Sequence, residues 1–292
     1  MALTIHTNYS SLLTQTNLNK TNNALAVNQQ RLGTGLRINS ASDDAAGLQI
    51  ATRLSAQTKG MAVAMRNVSD SSSLLQTADG ALSEMTDILQ RMKDLATQSA
   101  NGTNSDDDRK SMQAEYDELG KELGNIMENT SFGGDKLFSK GATGGKFDTA
   151  LSFQIGATAA ETLDLDVSAA TSGLAKSLTT VSSHFNPAGT PAGDEISTSG
   201  SANGKITELS AALDDIGTLR GQFGANINRL NHTANNLANM KDNTEMARGR
   251  IMDADFASES AMMSKNAMLM QSGISMLRQT GQMPGMVMSL LG

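Results

Sequence analysis

The sequence has no cysteine and no tryptophan, and only 3% of its 292 residues are aromatic. Without cysteine, disulfides, thiolate metal sites and cysteine nucleophiles are excluded, while the compartment stays open because a secreted protein can do without disulfides. So few aromatic rings leave little with which to fill a thick globular core. Proline occurs three times, at Pro187, Pro191 and Pro284, which leaves most of the chain free to run as helix. The amino terminus lacks the basic start and continuous apolar run of a cleavable signal, since its first lysine is Lys20 and Asn, Thr and Ser interrupt it throughout. No stretch reaches the ~18 consecutive apolar residues of a membrane span. Signatures of catalysis are equally scarce. His6, His184 and His232 stand apart in sequence and no HExxH occurs. The stretch GATGGKF (141–147) has no glycine five residues before Gly145 and carries Phe147 where a phosphate loop needs Ser or Thr. Asp106, Asp107 and Asp108 lack the Gly and distal Glu of a calcium loop and read as the solvated start of a helix. No enzyme activity, cofactor or metal is expected, and a net charge of −7 with scarce aromatics argues against nucleic acid.

The charge that is present is unevenly placed. Residues 1–42 carry +3 and residues 260–292 carry +2, with no acid in either, so residues 43–259 hold −12. Ends that are nearly uncharged yet not membrane-like, flanking an acidic middle, suggest ends buried against protein and a middle that meets water. Apolar spacing supplies the architecture. Leu54, Met61, Val68, Leu75, Leu82, Leu89 and Ala96 recur every seven residues, with Met85 and Met92 three beyond two of them, which draws one stripe along a long helix. Met112, Tyr116, Leu119, Leu123 and Ile126 step by four and three, as do Ile206, Leu209, Leu213 and Ile216, and then Phe223, Ile227, Leu230, Ala234 and Leu237. The expected fold is mainly α, a long helical rod or coiled-coil bundle.

The same rule reaches both ends of the chain. Leu18, Leu25 and Leu32 are seven apart, and Phe256, Met263, Ala267, Met270, Ile274 and Leu277 follow the seven or four-three rule, so the N- and C-terminal helices are expected to pair. The intervening amino-terminal positions are polar, which makes a two-stranded coil alone weak and leaves contacts for other copies to supply. In GLRINSASDDAAGLQIATRL (35–54), Gly33 and Gly35 suit a left-handed helix end, Ser40 or Ser42 a new cap, and Asp43 and Asp44 the positive first turn of a second helix. This is either a joint, with residues 249–258 as its return strand, or an ordinary helix-turn-helix corner. Leu151, Phe153 and Ile155, then Leu163, Leu165 and Val167, alternate with polar or small residues and predict a β-hairpin with one apolar face. Residues 171–204, rich in Ser, Thr, Gly and Ala, read as a loose surface insert or a very small subdomain.

Taken together, NLNKTNNALAVNQQRLGTGLRINSASDDAAGLQIATRL, LQRMKDLATQSANGTNS, NRLNHTANNLANM, RIMDADFASESA and VMSLLG resemble bacterial flagellin, over about residues 1–170 and 205–292. The resemblance implies a homopolymeric subunit of the extracellular flagellar filament, secreted unfolded through the flagellar type III apparatus. It also implies as partners an export chaperone, the filament cap protein and the hook-filament junction protein, with neither membrane nor nucleic acid. By this likeness residues 1–42 and 249–292 are the halves of an inner coiled-coil domain, 43–170 a rod plus hairpin, 171–204 a short variable surface insert and 205–248 the return helix. Self-assembly falls to the terminal helices through Leu18, Leu25, Leu32, Met263, Met270, Ile274, Leu277, Leu290 and Leu291, and the joint to Gly35, Arg37, Asn39, Asp43 and Asp44. A host Toll-like receptor would be met at Gln90, Arg91, Leu95 and Glu115. Two relatives of flagellin compete with this reading. The junction protein shares the terminal helical style, and an enzyme-bearing flagellin would need a zinc motif that 171–204 lacks.

Overall fold

The computed structural model describes residues 8–140, 144–185 and 193–291, except that the side chains of 283, 284 and 286–291 fall outside that description. Its helices are α1 (Tyr9–Thr34), α2 (Ala45–Ser99), α3 (Asp106–Asn129), α4 (Ser168–Val181), α5 (Ser199–Met252) and α6 (Phe256–Leu291). Two antiparallel strand pairs, β1 (Ser131–Phe132) with β2 (Asp135–Lys136) and β3 (Leu151–Gln154) with β4 (Thr162–Leu165), complete it. The expectation of a mainly α fold with paired terminal helices and a small hairpin is borne out. Contacts divide the chain into two compact units: Met1–Thr58 with Asp242–Gly292, and Lys59–Lys241. The division falls inside α2 and α5, whereas the sequence places it at the residues between helices.

Within the 59–241 unit, the heptad stripe of α2 is the core. Met61, Val68, Leu75, Leu82, Met85, Leu89, Met92 and Ala96 are all buried, as their spacing requires. α3 starts with a capping box: Asp108 N–H donates to Ser105 Oγ at 3.2 Å and Ser105 N–H donates to the Asp108 carboxylate at 3.1 Å. Asp106, Asp107 and Asp108 therefore sit in its first turn, against the positive end of the helix. Tyr116 and Leu123 are buried in the same core as the α2 stripe, and the Tyr116 hydroxyl is satisfied by donating to the Val181 carbonyl at 2.9 Å. Gly133 and Gly134, at φ of +64° and +93°, turn β1 into β2 in a conformation that glycine adopts without strain. Phe138, Phe147 and Phe223 then stack in sequence, with ring centroids 5.4 Å and 5.0 Å apart, so three of the few aromatics make one cluster.

The β3–β4 register pairs Leu151 with Leu165 and Phe153 with Leu163, which puts the alternating apolar residues on one face as expected. Residues 171–204 differ from the sequence reading. Instead of a loose surface insert, their first part belongs to α4, whose Leu174, Leu178 and Val181 are buried in the same core, followed by buried Phe185 and Ile196. The Ser, Thr and Ala that mark this stretch as a loop are here partly the exposed side of a helix and partly, at Thr171 and Ala175, small residues in its buried face, whose larger apolar residues recur four and three apart. Residues 186–192 lie outside the described residues.

Candidate self-assembly surface

α1 is capped at its start by Asn8, whose side-chain oxygen accepts the Ser11 N–H, and ends at Gly35, whose φ of +72° lets its N–H reach the Arg31 carbonyl. α6 runs antiparallel to it: Asn8 Nδ2 donates to the Thr280 carbonyl at 2.8 Å, Leu18 lies against Gly273, and Asn28 meets Glu259 and Asn266. On α1 the covered positions include Ser11, Thr14, Leu18, Thr21, Leu25, Asn28 and Leu32, with Arg31 beside them; on α6 they include Glu259, Met263, Asn266, Met270, Gly273, Leu277 and Thr280, with Ser260 beside them. Both sets step by three and four. The seam is thus half polar, and towards the joint end it buries a hydrophilic cluster beside Leu25. Asn28 is 5% exposed and donates to Glu259, which is 7% exposed and also receives Arg31 Nη1 at 3.0 Å. Asn266 completes the set by donating to Asn28 Oδ1 at 2.9 Å.

The structure brings Leu18, Leu25, Leu32, Met263, Met270 and Leu277 into this seam, but not every residue that the apolar pattern nominates. Ile274 is 40% exposed and Phe256 69% exposed, because Gly273 and Glu259 occupy the seam positions instead. The side chains of Leu290 and Leu291 lie outside the described residues. The helix pair also leaves large apolar side chains uncovered among its polar ones: Leu12, Leu13, Val27, Met262, Met268, Leu269, Ile274 and Met276 are all exposed. Such a display on a pair with so few charges marks an interaction surface.

Between α1 and α2 the chain makes a real joint. Arg37 N–H donates to the Met252 carbonyl at 2.6 Å and Ala254 N–H returns to the Gly35 carbonyl at 3.0 Å, closing a β-bridge between Leu36 and Asp253. Arg37 Nη2 adds a bond to the Ile251 carbonyl at 2.9 Å, and Asn39 Nδ2 donates to the Leu36 carbonyl at 2.9 Å. Asp43 collects the N–H groups of Asn39 and Ser40 at 3.0 Å and 2.9 Å. Those backbone bonds, with lesser help from Ser40 Oγ and Arg31, hold its carboxyl below the usual aspartate range. The cap of α2 is Asp44, which accepts the Gly47 N–H at 2.8 Å, rather than Ser40 or Ser42, whose hydroxyls bond each other at 2.6 Å. An open groove of about 750 Å³ beside the joint is lined by Asp242, Glu245, Met246, Gly249, Arg250, Asp253, Ala254 and Asp255.

In the other unit, Gln90, Arg91 and Glu115 are exposed, and the Arg91 guanidinium donates through Nε and Nη2 to Glu115 Oε1 at 2.9 Å and 2.6 Å. Leu95, three residues after Met92, is 2% exposed and belongs to the core, unlike the other three residues of this group. The isolated histidines hide one constellation that local spacing could not reveal, since His184 meets Asp117 and Glu195 only through folding.

Comparisons with known proteins agree at both ends of the chain. The family model of the bacterial flagellin N-terminal helical region matches residues 5–143, and that of the C-terminal helical region matches residues 206–291. Flagellin A of Vibrio anguillarum is 35% identical over 384 aligned positions that span all of both chains, and polar flagellin C of Vibrio parahaemolyticus serotype O3:K6 is 33% identical over 389, again spanning both. These alignments exceed the 292 residues of this chain, so the relatives carry segments that it lacks. A solved structure from Vibrio parahaemolyticus, described as a flagellar hook-associated protein, covers 72% of this chain and 100% of its own at a TM-score of 0.58 and 15% identity, a likeness of fold alone. With both terminal regions matched in order and relatives aligned from end to end, the chain belongs to the bacterial flagellin family.

Proposed function

We infer that the chain is a structural subunit that polymerises into a bacterial flagellar filament, and that its terminal helices join copy to copy. The first statement follows from the family. The second is carried by one observation: the α1–α6 pair has a half-polar seam inside and Leu12, Leu13, Met262, Met268, Leu269 and Met276 outside. A helix pair that turns its large apolar residues outward gains its burial when other copies cover them, which couples its order to assembly. Residues 1–42 and 249–292 would form the inner tube, and the helices of 43–170 and 205–248 the surrounding shell.

A subunit of this family would be exported unfolded through the flagellar type III apparatus, with an export chaperone, the filament cap protein and the junction protein as its partners. The role is structural, with no catalysis assigned to it. Relatives aligned over the whole chain are flagellins, which favours this reading over a junction protein. The same likeness proposes a Toll-like receptor contact centred on the exposed Arg91 and Glu115, with Gln90 beside them.

Electron microscopy of purified protein mixed with filament seeds tests the reading. Full-length protein elongates the seeds, and deletion of residues 1–20 or of 273–292 stops growth. Normal elongation by either deletion would remove the terminal helices from the assembly role. Receptor signalling by the monomer, abolished in Arg91→Ala, tests the receptor contact separately.

A further inference from the structure

Three segments far apart in sequence bring an imidazole and two carboxylates to one place. Asp117 lies on α3, His184 just after α4 and Glu195 just before α5, and one ligand atom of each lies within 4.8 Å of the other two. His184 Nδ1 is 3.4 Å from Asp117 Oδ1. The carboxylates are held by neutral donors: Gln113 Nε2 donates to Asp117 Oδ1 at 2.6 Å and to Glu195 Oε2 at 2.7 Å, while the N–H and Oγ of Ser183 donate to Glu195 Oε1 at 2.8 Å and 2.6 Å. The Gln113 amide is itself oriented, because its oxygen accepts the Ile196 N–H at 2.7 Å. Among the described residues no Lys or Arg forms an ion pair with either carboxylate. The Gly193 backbone approaches both carboxylates closely, since a Cβ there would overlap Glu195 Oε2 and stand 2.7 Å from Asp117 Oδ1.

We propose that Asp117, His184 and Glu195 form a binding site for one divalent transition-metal ion, with zinc as the ion it takes. Two carboxylates beside an imidazole bring the charge that a divalent cation balances, and one nitrogen with two oxygens is a zinc ligand set that leaves a fourth position for water. Calcium and magnesium ligate through oxygens, from carboxylates, carbonyls and waters, so the imidazole nitrogen is what favours a transition metal over either. Gln113 and Ser183 act as the outer shell that orients the carboxylates. The ion would tie the segments on either side of 186–192 to α3.

The test uses full-length monomer stripped of metal, titrated calorimetrically with zinc chloride and melted with and without it. The expected result is one zinc per chain and a raised melting temperature. His184→Gln and Asp117→Asn, each retaining the wild-type circular dichroism, lose that equivalent, whereas His232→Gln keeps it. Gln113→Ala weakens binding by roughly 10–100-fold. Cobalt in place of zinc gives the visible absorption of a four-coordinate nitrogen and oxygen site, and His184→Gln removes it. Absence of zinc binding by the wild-type chain, or an equivalent that both His184→Gln and Asp117→Asn retain, overturns the proposal.

Discussion

Asp43 is fully solvent-facing, yet it organises the joint by accepting two backbone N–H groups, and the sign of its pH effect follows from that. Because its folded pKa is depressed, its contribution is fully present above the ordinary value of 3.8, fades as pH falls below it and is gone beneath the depressed value. Amide exchange at Asn39 and Ser40 is therefore expected to quicken below that window in the wild type, and to be quick throughout in Asp43→Ala. Two helical glycines give a second test at this scale. Gly217 has nothing within 4 Å of a would-be Cβ, so Gly217→Ala raises stability by about 0.5–1 kcal/mol. At Gly124 a Cβ would stand 2.8 Å from the Phe185 carbonyl oxygen, a backbone atom with little freedom to retreat. Overpacking of about 1–3 kcal/mol there outweighs the helix gain, so Gly124→Ala lowers the melting temperature of the monomer.

At the scale of elements, the α1–α6 seam shows what apolar periodicity reveals and what it hides. The α2 stripe was legible throughout because every seven-residue step carries an apolar side chain. Leu18, Leu25 and Leu32 were legible for the same reason, but on α6 the pattern nominated Ile274 and Phe256 where Gly273 and Glu259 hold the seam. Glycine and buried carboxylate carry no hydrophobic signal, so the phase could not be read past them. α4 escaped for a related reason, since its small polar residues resemble a loop until Leu174, Leu178 and Val181 are seen on one face. The joint was legible as turn chemistry, whereas the His184 constellation joins positions 67 and 11 residues from its partners and leaves no local trace. The buried Glu259 also fixes which turn of α6 meets which turn of α1, because Asn28 and Arg31 find their acceptor at one register only. Glu259→Leu leaves Asn28 buried without its acceptor and should cost about 2–3 kcal/mol of helix pairing. Filaments of this variant are expected to dissociate at a lower temperature, with Glu259→Gln falling between it and the wild type. Equal dissociation temperatures for all three would remove the register role.

For the whole molecule, the two compact units predict two separable kinds of failure. The 59–241 unit holds a continuous apolar core from Met61 to Leu237 and all three stacked phenylalanines, so its stability resides within one chain. The terminal unit offers a half-polar seam and turns much of its apolar surface outward, so its stability depends on copies that cover it. A charge placed on that outward surface costs nothing in the monomer, where it meets water, but must be desolvated in the polymer. Met268, at 65% exposure, is the position to use. Met268→Asp is expected to leave the thermal melt of the monomer unchanged and to block elongation from filament seeds, while Met268→Leu elongates normally. Phe223→Ala should behave in the opposite sense, lowering monomer stability by about 3–5 kcal/mol through the hole it leaves against Phe147. If Met268→Asp filaments grew at the wild-type rate, the outward face of α6 would not be the surface that subunits bury, and the apolar residues around Leu12, Leu13 and Leu269 would need another occupant.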